Sequence, residues 1–297
     1  MKIQSMTIEP EWTIIKLLKW TESYLDSHDI DSPRMTAEIL LALTLQTKRI
    51  NLYLQHDKPL SHDELTRFKM LIKRRISREP VAYITGSKGF WTFDLEVTRD
   101  VLIPRPDTEC MVETALALLP DRKTDPPKRI LDLGTGSGAI IISLASERPS
   151  HEYVATDRFP AAAILAAKNA AKNGLGEKIF FFCSDWFQGI HPQQTFDIIV
   201  SNPPYIPTET IASLAPEISR FEPRMALDGG YDGLSDIRKI IHAAPDYMKP
   251  EGYLLLEIGF DQMKPVSEIA GDSGFYTDIE FIQDDAGHHR VVRLKKS

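Results

Sequence analysis

The sequence predicts a doubly wound α/β domain with a mostly parallel sheet, preceded by a small all-helical domain and joined to it by a β-hairpin. Apolar residues recur at helical spacing over the first 80 residues, two β-like runs flank a glycine-containing turn at 86–89, and strand-like and helix-like segments alternate from residue 130 onward. Such alternation is typical of parallel sheets with helices on both faces. We therefore place the helical domain at 1–80, the hairpin linker at 81–104 and the α/β domain at 105–297.

The helical domain is predicted from two apolar stripes and one helix-start signal. Ser61 and Glu64 have the spacing of a capping box, which predicts a helix that begins there and runs through Ile76. Each stripe would bury one face of a helix against the domain core. The stripes consist of Ile14, Ile15, Leu17, Leu18, Trp20, Tyr24 and Leu25, and then of Ile39, Leu40, Leu43 and Leu45.

The remaining elements follow in order along the chain. The runs 81–84 and 90–97 are expected to pair as the hairpin, and 120–128, with two adjacent prolines, is expected to be a surface loop. Predicted strands lie at 130–133, 153–156, 179–183, 197–201 and 253–258, with helices beginning near Gly138, Pro160, Leu234 and Gln262. A short link between 276–283 and 289–294 predicts an antiparallel pair at the end of the sheet.

Composition and charge exclude several classes of protein. The 42% hydrophobic and 26% charged residues are those of a globular protein, and a net charge of −7 argues against a protein that grips a phosphate backbone. The basic segment 69–78 lies on a predicted helix, so we interpret it as a solvated face rather than a contact site.

Cysteine usage and hydropathy indicate the compartment. Cys110 and Cys183 are too few for a disulfide framework or a structural zinc site, and both lie in apolar stretches, so we expect buried thiols and no metal. Neither a signal-peptide pattern nor an apolar run of about 18 residues, the length of a membrane span, is present. We expect a cytoplasmic protein.

A glycine-rich loop follows the first strand of the α/β domain and contains Gly134, Thr135, Gly136, Ser137 and Gly138. An apolar strand that runs into glycines and then a helix brings a nucleotide close to backbone N–H groups. The same spacing also satisfies the dinucleotide fingerprint of nicotinamide enzymes, and a plain glycine turn is the structural alternative. The loop therefore predicts a nucleotide-like cofactor without choosing among cofactors.

Acidic and aromatic residues after the next two strands fit the same cofactor. Asp157 lies 19 residues beyond Gly138, close to the ~20 expected for a carboxylate that binds ribose hydroxyls, although it could instead cap the helix at Pro160. Asp185 and Trp186 follow the third strand, where they could hydrogen-bond to and stack on an adenine. Core packing is the alternative for Trp186.

The fourth strand ends in Asn202, Pro203, Pro204 and Tyr205, at an edge where doubly wound sheets bind ligands. The amide oxygen of Asn202 and the carbonyl of Pro203 can each accept one N–H of a planar NH2 group, which leaves its nitrogen lone pair directed at a methyl donor. The prolines keep the turn rigid, and Tyr205 can stack on the planar group. Strand termination is the alternative reading of the two prolines.

These motifs together resemble the release factor glutamine methyltransferase family among the class I methyltransferases, over nearly the whole chain. The segment 101–109, which contains Arg105, resembles the family's signature ahead of the methyltransferase domain, and 221–224, 226–230 and 254–259 resemble later family segments. In 286–290 we expect an acidic residue nearer Arg290 in many relatives. Arg105 is either an electrostatic organiser of the site or a loop anchor.

The resemblance implies a seven-stranded, Rossmann-like sheet and S-adenosylmethionine as cofactor, bound by 134–138, Asp157, Asp185, Trp186 and Asn202. It also implies that residues 202–205 hold the glutamine amide of the Gly-Gly-Gln motif of peptide chain release factors 1 and 2. A monomer with a helical domain that docks the release factor is expected, with no direct nucleic-acid partner and no membrane association.

Four other functions are open at this point. A ribosomal-protein glutamine methyltransferase shares the Asn-Pro-Pro-Tyr motif, but there we expect Ser-Pro in place of Pro106 and Asp107. An adenine-N6 nucleic-acid methyltransferase would need to hold a flipped base. A nicotinamide dehydrogenase would leave 202–205 unexplained, and a cofactor-binding adaptor on release factors would show no turnover.

Overall fold

The computed structural model describes residues 12–120 and 126–297. The chain divides into two compact units, one ending at Thr85 and the other running from Gly86 to Ser297. Residues 121–125 of the predicted surface loop lie outside the described residues. In the described part of the chain, no helix combines the length and the apolar character needed to cross a membrane.

The first unit is helical, with α1 (Ile14–Asp26), α2 (Pro33–Thr44), α3 (Arg49–Leu54), α4 (His62–Ile76) and α5 (Val81–Thr85). The predicted stripes form much of its core, with Leu18, Leu25 and Leu40 almost fully buried. The stripes are wrong at two positions: Leu43 is 40% exposed, and Trp20 is 50% exposed and stacks on Tyr24 at the surface.

The capping box at the start of α4 is confirmed. The Glu64 N–H donates to the Ser61 hydroxyl at 3.2 Å, and the Ser61 N–H donates to the Glu64 carboxylate at 2.7 Å. The basic segment on this helix is not wholly solvated, because Arg75 is 5% exposed and Arg74 makes a two-pronged ion pair with Glu79 at 2.8 and 2.9 Å.

The hairpin is present, but the prediction placed its strands wrongly. Residues 81–84, predicted as a strand, belong to α5, which begins after Pro80 and ends at Thr85, just before Gly86, where φ is +72°. The pairing strands are β1 (Ser87–Phe90) and β2 (Phe93–Glu96), so the predicted turn at 86–89 is largely strand. Proline before a short apolar run favours a first helical turn over a strand, and a left-handed glycine ends it.

The second unit contains a seven-stranded sheet. Its strands are β3 (Arg129–Leu133), β4 (Glu152–Asp157), β5 (Ile179–Cys183), β6 (Phe196–Ser201), β7 (Met248–Glu257), β8 (Tyr276–Gln283) and β9 (His289–Lys296), in the order β5-β4-β3-β6-β7-β9-β8. The first five pair in parallel, whereas β9 pairs antiparallel with both β7 and β8. The predicted antiparallel end of the sheet is therefore confirmed.

Four helices begin within one residue of their predicted positions: α7 (Ala139–Glu147), α8 (Pro160–Lys172), α10 (Ser235–Ala243) and α11 (Met263–Ser273). Two further helices, α6 (Glu109–Leu118) and α9 (Pro216–Phe221), were not predicted. Apolar clusters pack on the sheet from helices such as α7 and α10, whose Ile142 and Ile240 are fully buried. Cys183, predicted to be a buried thiol, is exposed, because it is the last residue of the outermost strand β5.

The strand order fixes where a ligand can bind. From β3 the chain proceeds outward through β4 to β5, and then returns to place β6 on the other side of β3. The loops after β3 and β6 therefore diverge at the switch point of the sheet, which opens a crevice at the carboxyl ends of these strands.

Candidate active site

A cleft at this switch point brings together most of the predicted site residues. The cleft, together with the solvent at its open mouth, spans about 1130 Å³ that no protein atom fills. The predicted residues that line it are Gly134, Thr135, Gly136, Ser137, Asp157, Asp185, Trp186, Asn202, Pro204 and Arg105. Three predicted residues do not line it: Gly138, which caps the amino end of α7, and Pro203 and Tyr205, which flank the lining residue Pro204.

The glycine loop is shaped by two different demands. A Cβ built at Gly136, where φ is +56°, would meet no protein atom within 4 Å, so this position borders open space of the cleft. A Cβ at Gly138, where φ is +86°, would approach Ile142 Cδ1 to 2.8 Å and Ala166 Cβ to 3.3 Å. Gly136 thus leaves room for a ligand, whereas Gly138 lets α7 pack closely on α8.

A buried carboxyl group supports the loop from below. Asp132 is fully buried in β3, and its Oδ2 accepts the hydroxyl of Thr135 at 2.7 Å. Burial and, to a smaller extent, the nearby charge of Asp157 raise the pKa of Asp132 to about 7. The two carboxyl groups give this end of the cleft an acidic character.

Asp157 ends β4 and faces the glycine loop. Its Oδ2 accepts the N–H of Gly136 and its Oδ1 accepts the N–H of Phe159, both at 2.9 Å. The residue before α8 is Phe159, so Asp157 does not occupy the helix-cap position. Burial raises the pKa of Asp157, while these backbone hydrogen bonds oppose the rise. The carboxylate is therefore held in place on the cleft wall.

Trp186 and Asp185 form the wall beyond β5. Trp186 has a φ of +49°, and its ring lies 3.5 Å from the Cβ position of Gly134. Its Nε1 donates to Asp236 at 3.3 Å, and its ring also packs on the apolar cluster beneath α10. Left-handed backbone at a non-glycine residue is costly and tends to occur at ligand sites. Asp185 lies opposite Arg158, with 3.8 Å between Oδ2 and Nε.

The corner after β6 is held by residues from elsewhere in the fold. Gln262, which is 6% exposed, donates from Nε2 to the carbonyl of Tyr205 at 2.9 Å and to that of Gly233 at 3.2 Å. The N–H of Ile206 donates to the Leu227 carbonyl at 3.0 Å. These bonds tie the corner to the loop 227–233, so its backbone is rigid for reasons beyond its two prolines.

The Asn202 side chain faces a buried polar group of residues. Its Nδ2 donates to the Thr108 hydroxyl at 3.3 Å, and Thr108 lies near enough to Glu257, at the end of β7, to oppose the rise that burial causes in the pKa of that carboxyl group. The Tyr205 hydroxyl donates to Glu257 Oε1 at 3.2 Å. Burial raises the pKa of Tyr205 above its usual value and that of Glu257 to about 6. Tyr205 thus supports the corner from behind.

Two arginines anchor the loops beside the corner. Arg105 lines the cleft and pairs with the buried Glu222, which also accepts the N–H of Ile103 at 3.2 Å. It therefore fastens its own loop as well as placing a positive charge at the cleft. Arg290 pairs at 3.1 Å with both Asp284 and Asp107, so acidic partners reach it from six residues upstream and from the turn before α6.

Sequence reasoning missed Asp132, Thr108, Glu257 and Gln262. A detectable signal existed for two of them, because Asp132 lies within the apolar run 130–133 and Glu257 within the apolar run 253–258, and a buried charge requires a reason. Thr108 and Gln262 carry no local signal, since their partners are distant in sequence.

Comparison with known proteins identifies relatives for both units. The family described as PrmC N-terminal domain matches residues 16–86, and the methyltransferase small domain matches residues 112–218. A release factor glutamine methyltransferase of Geobacter sulfurreducens is 42% identical over 97% of this chain and 98% of its own length. A protein of the same name from Salmonella typhimurium is 43% identical over 89% of this chain and 92% of its own.

Solved structures show the same fold at low sequence identity. The hMettl16 catalytic domain has a TM-score of 0.55 and 17% identity, covering 68% of this chain and 74% of that chain. A methyltransferase from Pyrococcus furiosus has a TM-score of 0.51 and 17% identity, covering 78% of this chain and 98% of that chain. The predicted class I methyltransferase fold is thereby confirmed.

Proposed function

Because the chain belongs to the release factor glutamine methyltransferase family, we propose that its cleft is where a release-factor glutamine receives a methyl group. The chain is an S-adenosylmethionine-dependent protein-glutamine methyltransferase. At the finer level, we propose that the acceptor is the N5 amide nitrogen of the glutamine in the Gly-Gly-Gln motif of release factors 1 and 2.

One observation carries the assignment of the site. The glycine loop after β3 and the Asn202 corner after β6 line a single cleft at the switch point of the sheet. A cofactor held at the first loop and a planar amide held at the second would therefore be neighbours. Positioning of two reactants in this way can contribute ~7–11 kcal/mol to catalysis.

The donor side of the cleft suits a cationic ligand that carries ribose and adenine. Gly136 leaves space where any side chain would intrude, and Asp157 presents a fixed carboxylate beside it. Five aspartates line the cleft but only two arginines: Asp100, Asp157, Asp185, Asp228 and Asp236, against Arg105 and Arg158. S-adenosylmethionine, when bound, supplies an electrophilic methyl group on a positively charged sulfur.

The acceptor side orients the amide without a general base. Asn202 offers an amide oxygen to one N–H of the substrate, and the carbonyl of Pro203 is proposed to accept the other. Among the described residues that line the cleft, none is His, Lys, Cys or Tyr. Its titratable groups are aspartates and arginines, and Asp157 is already engaged by two backbone N–H groups. Orientation and electrostatics are then the main contribution of the protein.

The decisive experiment is to incubate the protein with labelled S-adenosylmethionine and purified release factor, and to locate the methyl group by mass spectrometry. We expect one added methyl on the glutamine of the Gly-Gly-Gln loop. Asn202→Ala should lower the rate roughly 100-fold or more, because it removes a preorganised hydrogen bond at the reacting group. Asn173→Ala, outside the cleft, is the matched control. Label on DNA or a ribosomal protein, and never on release factor, would contradict the proposal.

We also propose that the protein acts as a monomer in the cytoplasm, without direct nucleic-acid contact. The release-factor substrate and the net charge of −7 support this. Size-exclusion chromatography with light scattering, with and without release factor, would test the monomer.

A further inference from the structure

A group of buried polar side chains extends from the end of β7 to the Asn202 amide. Glu257 belongs to β7, Thr108 closes the turn 106–108 before α6, and Asn202 follows β6, so three separate elements contribute one residue each. Thr108 and Glu257 are 4% and 1% exposed, which removes water as an alternative partner for most of their polar atoms. Within this group, each polar hydrogen must therefore be donated to an acceptor atom of the protein itself.

When it is ionised, Glu257 can accept hydrogen bonds but cannot donate them. Burial raises its pKa and groups such as the Arg290 guanidinium limit the rise, which leaves a pKa of about 6, so the carboxyl group is mostly ionised at neutral pH. Its Oε1 accepts the Tyr205 hydroxyl. Its Oε2 is buried and has no hydrogen bond of standard geometry among the described residues, and the Thr108 hydroxyl is the donor available to this carboxyl group. A buried carboxylate oxygen left without a donor is costly, so this demand is strong.

Thr108 has one hydroxyl hydrogen to give. If that hydrogen is directed to Glu257, the Thr108 oxygen can only accept from its other neighbour. That neighbour is the side-chain amide of Asn202, 3.3 Å away. Asn202 must then turn its NH2 end toward Thr108, which leaves its Oδ1 as the end presented to the cleft.

We propose that Thr108 and Glu257 are positioning residues that fix which end of the Asn202 amide faces the substrate. The inference deepens the proposed function and rests on it for the identity of that substrate. If the Asn202 amide were turned by 180°, its N–H groups would face the N–H groups of the substrate amide that receives the methyl group. No hydrogen bond can form between two donors. Because the two orientations of an asparagine amide have nearly the same shape, the discrimination must come from hydrogen bonding.

Kinetics with purified release factor test the proposal through a matched pair of variants. Thr108→Val keeps the shape but removes the hydroxyl, and should lower kcat about tenfold or more, with donor affinity within a few-fold of the wild type. Thr108→Ser restores the hydroxyl and should recover most of kcat. Equal kcat in Thr108→Val and the wild type, or equal loss in the Ser and Val variants, would overturn the proposal.

Glu257→Gln tests the same group from its other end. Gln brings an NH2 group in place of one carboxylate oxygen, so the side chain no longer requires a hydrogen from both the Tyr205 and Thr108 hydroxyls, and the constraint on Asn202 is weakened. We expect kcat to fall about tenfold while the melting temperature stays close to that of the wild type. Wild-type kcat in a folded Glu257→Gln would overturn the proposal even if Thr108→Val did not fold.

A second readout needs no turnover, and so separates a failed positioning role from a failed substrate assignment. In ¹⁵N-labelled protein, the side-chain NH2 signals of Asn202, identified by their absence in Asn202→Ala, should shift in Glu257→Gln and in Thr108→Val but not in Thr108→Ser. Unshifted signals in Glu257→Gln would show that the carboxylate does not control the amide. This result would stand whether or not the wild type methylates release factor.

Discussion

At the scale of single residues, two aspartates dominate the donor side of the cleft and do different work. Asp132 is buried beneath the glycine loop and holds it through Thr135, whereas Asp157 stands on the wall and faces the open space. They are close enough for each charge to affect the other, which is shown by the contribution of Asp157 to the raised pKa of Asp132. Substitutions of the two residues should therefore have different effects, because Asp157 would contact the ligand whereas Asp132 supports the loop.

Asp157→Ala is expected to weaken S-adenosylmethionine binding roughly 10- to 100-fold, the range for losing hydrogen bonds to a charged group. The loss has two sources, because the carboxylate would contact the donor and also holds the N–H of Gly136. Isothermal titration calorimetry measures the effect, with the exposed Asp272→Ala as control. Donor affinity equal to that of the control would remove Asp157 from the cofactor site.

Asp132→Asn should change how stability depends on pH. The folded-state pKa of Asp132 is raised to about 7 by burial, so ionising this group opposes folding as pH rises from the unfolded-state pKa through 7. Between about pH 5 and pH 8, the wild type should lose up to ~2–3 kcal/mol of unfolding free energy relative to Asp132→Asn. Urea denaturation at both pH values tests this. A difference between the two proteins that does not vary with pH would contradict it.

At the scale of elements, the two glycines of the loop offer a matched pair. Gly136→Ala meets no protein atom, so its stability cost is only that of left-handed backbone, about 1 kcal/mol, while its methyl group enters the cleft and should block the donor. Gly138→Ala adds a 2.8 Å approach to Ile142 and should destabilise the fold more. Thermal melts and donor calorimetry on both variants should show opposite rankings for stability and binding. The same ranking in both assays would refute this division.

Elements and motifs that are contiguous in sequence were predictable. The alternation of strands and helices, the capping box at Ser61 and the loop 134–138 depend on residues a few positions apart, so local spacing carries the information. The hairpin strand at 81–84 failed because Pro80 and Gly86 favour one helical turn for the same apolar residues.

The hydrogen-bonded groups around the site were not predictable for a different reason. Asn202, Thr108 and Glu257 are separated by 94 and about 150 positions in the chain, so only the strand order brings them together. A sequence pattern can identify the corner that carries Asn202, but the partners that orient its amide depend on the tertiary fold.

At the scale of the whole molecule, we expect a division of roles between the two units. Every residue that lines the cleft lies between Asp100 and Asp236, within the unit that begins at Gly86. The described residues of the helical unit contribute none of them, and docking of the release factor by this unit stays a prediction.

A chain limited to residues 86–297 should therefore bind S-adenosylmethionine with nearly the affinity of the full chain, but methylate release factor with a much higher KM. Calorimetry and initial-rate measurements on both proteins would test this. Loss of donor binding in a folded 86–297 chain, or an unchanged KM, would show that the division is wrong.

The position of β9 has a consequence for how this molecule is assembled. Residues 289–296 do not extend the sheet at its rim but slot between β7 and β8, and they supply hydrogen-bond partners to both. Until these residues have been synthesised and have folded, the facing edges of β7 and β8 are unpaired. Unpaired strand edges are prone to aggregate with other chains. Losing even a few residues there should thus harm yield far more than trimming an ordinary tail.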